Sequence, residues 1–180
     1  MPSRPSMLLA GALFFATLGT AAPQYHRERP KEPAPRFNAT TTTGEKFSNA
    51  SVKGKVVLLE FWTTWCHFCA EEEPLVEKLS HEFAGKGLIV LTINVGESKK
   101  TVKKYLELHP RSTKIILTED TNLAAMYAAT VYPIYVVIDR DGNCVTQRGA
   151  GGEEALRDLL ASAGLESPDS DKDTSTASSN

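Results

Sequence analysis

The chain has 180 residues, 41% hydrophobic and 23% charged, with 12 Gly, 10 Pro and 3 Cys, an ordinary globular composition with enough length for one sizeable core. Three cysteines are too few for a miniprotein stapled by disulfides. With 20 basic against 22 acidic side chains, no field is present that would capture nucleic acid.

Residues 1–22 combine Arg4, an apolar run from Met7 to Leu18, and the small residues Gly19, Thr20, Ala21 and Ala22. This is the pattern of a signal peptide, with cleavage expected after Ala21. The alternative is a short retained anchor, although Met7 to Ala22 falls short of the roughly 20 apolar residues that span a bilayer. Export implies a compartment in which disulfides form, periplasmic or otherwise extracytoplasmic. Residues 23–33 are rich in proline and charge and read as a linker. Residues 166–180 have no aliphatic side chain larger than Ala and read as a disordered acidic, Ser-rich tail. The folded domain is therefore expected over 34–165.

Within it, Asn38 to Thr42 and Lys46 to Ser48 flank Gly44 as an N-terminal hairpin. Val56 to Trp62 is a continuous apolar strand broken only by Glu60. From Cys66 to Ala84, Leu75, Val76, Leu79 and Phe83 recur at helical spacing until Gly85 and Gly87. A strand follows at Leu88 to Val95, then a helix capped by Ser98 that His109-Pro110 stops after Leu108. Ile115 to Thr118 predicts a strand, Asn122 to Ala128 a short helix, and Ile134 to Asp139 another strand. The turn Arg140-Asp141-Gly142-Asn143 leads into Cys144 to Arg148, and Glu153 to Ala163 forms a last helix ended by Gly164. The alternation describes an α/β domain with a central mixed β-sheet flanked by helices and an added N-terminal β-hairpin.

Trp62-Thr63-Thr64-Trp65-Cys66-His67-Phe68-Cys69 carries the chemistry, where a strand ends and a helix begins. At a helix N-terminus, free N–H groups and the dipole favour a thiolate. Cys66 is then the nucleophile and Cys69, one turn inward, the resolving thiol. Zinc would need two further ligands, for which only Cys144 and four scattered histidines are at hand. Covalent haem attachment would need His where Ala70 stands. A purely structural disulfide closing so short a loop would stabilise little through chain entropy.

The segment Phe61-Trp62-Thr63-Thr64-Trp65-Cys66-His67-Phe68-Cys69-Ala70-Glu71-Glu72-Glu73-Pro74 resembles the TlpA/ResA-like branch of the thioredoxin superfamily. Ala34-Pro35-Arg36-Phe37, Gly54-Lys55-Val56-Val57 and Tyr132 through Gly142 extend the likeness over essentially residues 34–165. The resemblance implies a thioredoxin-like fold and extracytoplasmic thiol:disulfide exchange, often reductive. Its substrates would be protein thiols and disulfides, with apocytochrome or copper-site cysteines as candidates and a membrane thiol reductant upstream. A monomer without cofactor or metal is expected.

Residue by residue, the resemblance assigns Pro133 as the cis-proline beside the disulfide, leaving nearby backbone free to pair with a substrate strand. Glu72, three residues after Cys69, matches the acid of the CxxCxxExP pattern. Glu60, six residues before Cys66, stands where thioredoxins carry a buried acid and many members of this branch an amide. Desolvation would raise its pKa and suit it to exchange a proton with Cys69. Either acid could do that work. Tyr132 departs from the small residue common before the cis-proline, and with Trp65 and Phe68 would line the substrate-binding rim. His67 departs from the usual Pro, and an imidazolium beside Cys66 would favour the reduced form and make the protein more oxidising. Cys144 reads as a packing residue in a strand. Two other classes stay open: a copper-binding metallochaperone using Cys66, Cys69 and His67, and a thiol peroxidase forming a sulfenic acid at Cys66.

Overall fold

The structure is a computed structural model that describes residues 32–166. The leader, most of the 23–33 linker and the tail beyond 166 lie outside the described residues. Eight strands form one sheet in the order β1-β8-β7-β4-β5-β6-β2-β3. They are β1 (Glu32–Pro33), β2 (Asn38–Thr41), β3 (Lys46–Ser48), β4 (Val56–Trp62), β5 (Leu88–Asn94), β6 (Lys114–Thr121), β7 (Ile134–Ile138) and β8 (Asn143–Arg148). The helices are α1 (His67–Phe83), α2 (Lys99–Leu108), α3 (Leu123–Met126) and α4 (Gly152–Ala161), with a 3₁₀ turn at Ala84–Lys86.

β4 is a central strand, parallel to β5 and antiparallel to β7, and every one of its side chains is buried. That is why it reads as a continuous apolar run: with both faces covered, no position favours a polar residue. Its side chains alternate between two cores. Val57, Leu59 and Phe61 pack with Phe37, Phe47, Leu91, Ile93, Ile116 and Leu123, beneath the N-terminal hairpin and α3. Val56 and Leu58 face Val76, Leu79 and Phe83 of α1 and Leu156, Leu159 and Leu160 of α4. Burial of each such side chain contributes roughly 1.5–3 kcal/mol. Glu60 and Trp62 continue this second face toward the start of α1.

The structure revises several boundaries. Glu32 and Pro33, read as linker, pair antiparallel with Cys144 and Asn143 as the edge strand β1, where a proline costs no ladder bond that a neighbour needs. β6 runs to Thr121, beyond the predicted Thr118, because β2 docks against it with Ala39 opposite Thr121. α3 covers only Leu123–Met126 rather than 122–128, as Ala128 takes φ +47° and turns the chain away.

Candidate active site

β4 delivers the chain to the site and α1 receives it. Cys66 is the N-cap of α1, its N–H donates to Thr63 O at 3.3 Å, and its Sγ accepts the Cys69 N–H at 3.2 Å. Cys66 and Cys69 are joined, with S–S 2.10 Å and Cα–Cα 5.3 Å. Cys66 keeps 7% of its surface accessible and Cys69 only 1%. The helix N-terminus thus faces the outer sulfur, where a thiolate is favoured, while the inner sulfur is covered.

Thr64, just ahead of Cys66, is tied down from β5 and the loop after it. Glu97 Oε2 accepts the Thr64 N–H at 2.6 Å and the Asn94 Nδ2–H at 2.7 Å, and Glu97 Oε1 accepts the Thr64 hydroxyl at 2.5 Å. Nothing in the sequence pattern singled out Glu97. A signal was present, since it follows Gly96 at the C-terminal end of a central strand, where α/β sheets place functional groups.

The Tyr132–Pro133 bond is cis and Pro133 is buried. Tyr132 is half-buried against the cluster that holds both cysteines and donates its hydroxyl to Ala129 O at 3.0 Å. Its ring meets Trp65 edge-on, centroids 5.8 Å apart. Trp65, Phe68 and Val131 are exposed large apolar side chains, at 71%, 59% and 67%. Two come from the CxxC segment and one immediately precedes Tyr132, so an apolar rim flanks Cys66.

The three consecutive glutamates of α1 have separate fates. Glu71 pairs with His67 at 3.1 Å, with both side chains exposed. The His67 imidazole is therefore engaged one turn along the helix by a carboxylate, a partner not expected from the motif. Glu72 is buried and fully engaged: Oε1 accepts the Gly151 and Gly152 N–H groups at 2.8 and 2.6 Å, and Oε2 accepts the Tyr135 hydroxyl at 3.0 Å. It closes the N-terminus of α4. Glu73 accepts from Arg111 at 2.9 Å.

Arg111 is a second residue that sequence reasoning does not single out. Its guanidinium, 1% exposed, also donates to Glu60 Oε2 at 3.2 Å and lies 4.0 Å from the Trp62 ring. Glu60 is therefore buried but paired, its partner coming from a distant segment. Burial pushes its carboxyl up to about 7, with the Arg111 charge opposing and Glu73 and Glu77 reinforcing. Its Oε1 accepts no hydrogen bond. Tyr135, opposite Glu60 across the β4–β7 ladder, has its phenol pushed far up by burial and by Glu60 and Glu72.

The third thiol, Cys144, is partly buried against the hairpin-side core, and burial pushes its pKa up. Among the described residues, no group of three or more His, Cys, Asp or Glu side chains is arranged to hold a metal.

A family model described as the AhpC/TSA family matches residues 30–147. The chain belongs to this family. It is similar to the thiol-disulfide oxidoreductase ResA of Bacillus subtilis, 30% identical over 71% of this chain and 72% of that protein. It is also similar to the thioredoxin-like protein YneN of the same organism, 37% identical over 61% of this chain and 65% of that one. Among solved structures, a thiol:disulfide interchange protein of the thioredoxin family from Chlorobium tepidum aligns with TM-score 0.65 and 27% identity, over 75% of this chain and 97% of that chain. The expectation of a ResA-like thioredoxin fold holds, and this member of the AhpC/TSA family is a thiol:disulfide oxidoreductase with Cys66 and Cys69 as its pair.

Proposed function

We propose that this oxidoreductase acts outside the cytoplasm as a reductase of protein disulfides. The Cys66 thiolate attacks one sulfur of a substrate disulfide, forming a mixed disulfide and releasing the first substrate thiolate. Cys69, deprotonated, then attacks Cys66 Sγ, so the pair closes and the second substrate thiolate leaves, having received two electrons in total. The observation that carries this reading is the asymmetry of the pair, with Cys66 at the helix cap and Cys69 almost fully covered.

Proton transfer from Cys69 is assigned to Glu60 rather than Glu72. Glu60 retains a free oxygen and a carboxyl that titrates near neutrality, whereas both Glu72 oxygens already accept hydrogen bonds. Glu72 holds α4 in place. Trp65, Phe68 and Tyr132 would contact the substrate chain, and the backbone beside cis Pro133 would pair with it. His67 is exposed and shares its charge with Glu71, so the imidazolium argument for an oxidant carries little weight. Reduced thiols for apocytochrome or copper-site cysteines suit this chemistry, with a membrane thiol reductant regenerating the pair.

The midpoint potential of the pair, measured in a Cys144→Ala background against glutathione or dithiothreitol, tests the direction. A reductase requires a value near the thioredoxin end, about −270 mV. A value near about −120 mV, the DsbA end, would make the protein an oxidant.

A further inference from the structure

Glu60 and Glu73 share one buried cation. Arg111 Nη1 reaches Glu60 Oε2 and Nη2 reaches Glu73 Oε2, so the guanidinium fork is split between two carboxylates instead of closing on one. A two-pronged arginine–carboxylate pair would hold its acid firmly ionised. The split gives Glu60 a single N–H and leaves Oε1 unengaged. Charge counting favours the same state: with Glu73 ionised and Glu60 protonated the cluster is neutral, and ionising Glu60 puts one uncompensated negative charge into a region that is 0–1% exposed at Glu60 and Arg111.

We propose that Arg111 and Glu73 are positioning residues for the proton step, the shared guanidinium fixing the Glu60 carboxyl with one oxygen free and in exchange with its acid form. This rests on Glu60 serving Cys69, the reading given above. Arg111 also covers the Trp62 ring, and Trp62 packs in the same cluster as Cys66 and Cys69, so the cation that sets Glu60 also orders the wall beneath the sulfurs. The other groups facing this cluster are Glu77 from α1, with His81 3.9 Å from it, Tyr105 from α2, with the His109 ring stacked on it at 4.4 Å, and Tyr135 from β7, the last carrying the influence of Glu72 through its hydroxyl.

The test uses the full chain and two readouts. The first is the titration of the Glu60 side-chain carboxyl by carbon NMR, and the second is the pH profile for reduction of a disulfide-containing peptide. Glu73→Gln removes the competing anion while leaving Arg111 on Glu60, so the Glu60 midpoint should fall by about one pH unit and the profile should move with it. Arg111→Met should move both upward, and if that variant does not fold, Glu73→Gln decides alone. An unshifted Glu60 midpoint in Glu73→Gln overturns the proposal. A Glu60 midpoint that moves while the profile stays in place, together with an unaltered profile in Glu60→Gln, overturns instead the assignment of Glu60 to Cys69, and the positioning role with it.

Discussion

Glu97 holds Thr64 by two hydrogen bonds, from its backbone N–H at 2.6 Å and its hydroxyl at 2.5 Å, across 33 positions of sequence. This contact fixes the three-residue step, Thr63 to Trp65, between the end of β4 and Cys66, because a third donor, the fully buried Asn94 amide, anchors the same carboxylate to β5. Glu97→Ala leaves the Asn94 amide without its acceptor. A loss of about 1–3 kcal/mol in denaturant unfolding is expected, with slower reduction of substrate disulfides. Unchanged stability would remove Glu97 from the support of the site.

The order of attack is open to direct capture. Cys69→Ser should accumulate a mixed disulfide between Cys66 and a substrate cysteine, visible by mass spectrometry under non-reducing conditions and lost on adding dithiothreitol. Cys66→Ser should accumulate none, since Cys69 is almost wholly covered. Capture through Cys69 would reverse the assigned roles.

Glu60 predicts how stability depends on pH. Its carboxyl is raised from 4.5 to about 7 in the folded protein, so between those values the native state holds a proton that the unfolded chain has released. Stability therefore falls as pH rises through this window, and below it the contribution is fully present. The term is on the order of 3 kcal/mol. Glu82 and Glu77, whose carboxyls are lowered by their hydrogen bonds, act in the opposite sense and at lower pH, so they leave this window to Glu60. The difference in unfolding free energy between wild type and Glu60→Gln, measured at pH 4.5 and pH 8, should change by an amount of that order.

Glu72 is expected to matter for α4 rather than for the proton. Gly152, whose N–H donates to Glu72, takes φ +72°, a conformation that side chains rarely adopt. Glu72→Ala should cost about 1–3 kcal/mol and speed hydrogen exchange at Gly151 and Gly152. The pH profile of activity should keep its midpoint. A displaced midpoint would return Glu72 to the proton step.

His67 should tune the potential only weakly, being exposed and already paired with Glu71. His67→Ala is expected to shift the midpoint potential by less than about 30 mV, the equivalent of about 1.4 kcal/mol. A larger shift would mean that the imidazole acts on Cys66 despite that pairing.

The motif around Cys66 and Cys69, the strand before it and the helix after it were legible because each is a local pattern: an apolar run, a cap and a 3.6-residue periodicity. Glu60 was legible as a carboxylate inside an apolar strand, which is rare without a purpose. Its partner was not. Arg111 lies 51 positions away in a short connection between α2 and β6, where no periodicity marks one arginine from another. The same holds for Glu72, which the spacing from Cys69 placed near the site while its acceptors' real donors, Gly151 and Gly152, come from 79 and 80 positions downstream.

Sequence periodicity thus pointed to an α/β domain with a CxxC pair where a strand meets a helix, since backbone geometry and burial repeat along the chain, whereas the place of Pro133 beside that pair was implied by the family resemblance. Which buried acid keeps a free oxygen and which one closes a helix are settled by three-dimensional packing. Electrostatic partners act through space at a few ångströms, and no spacing rule along the chain predicts which distant residue will occupy that distance.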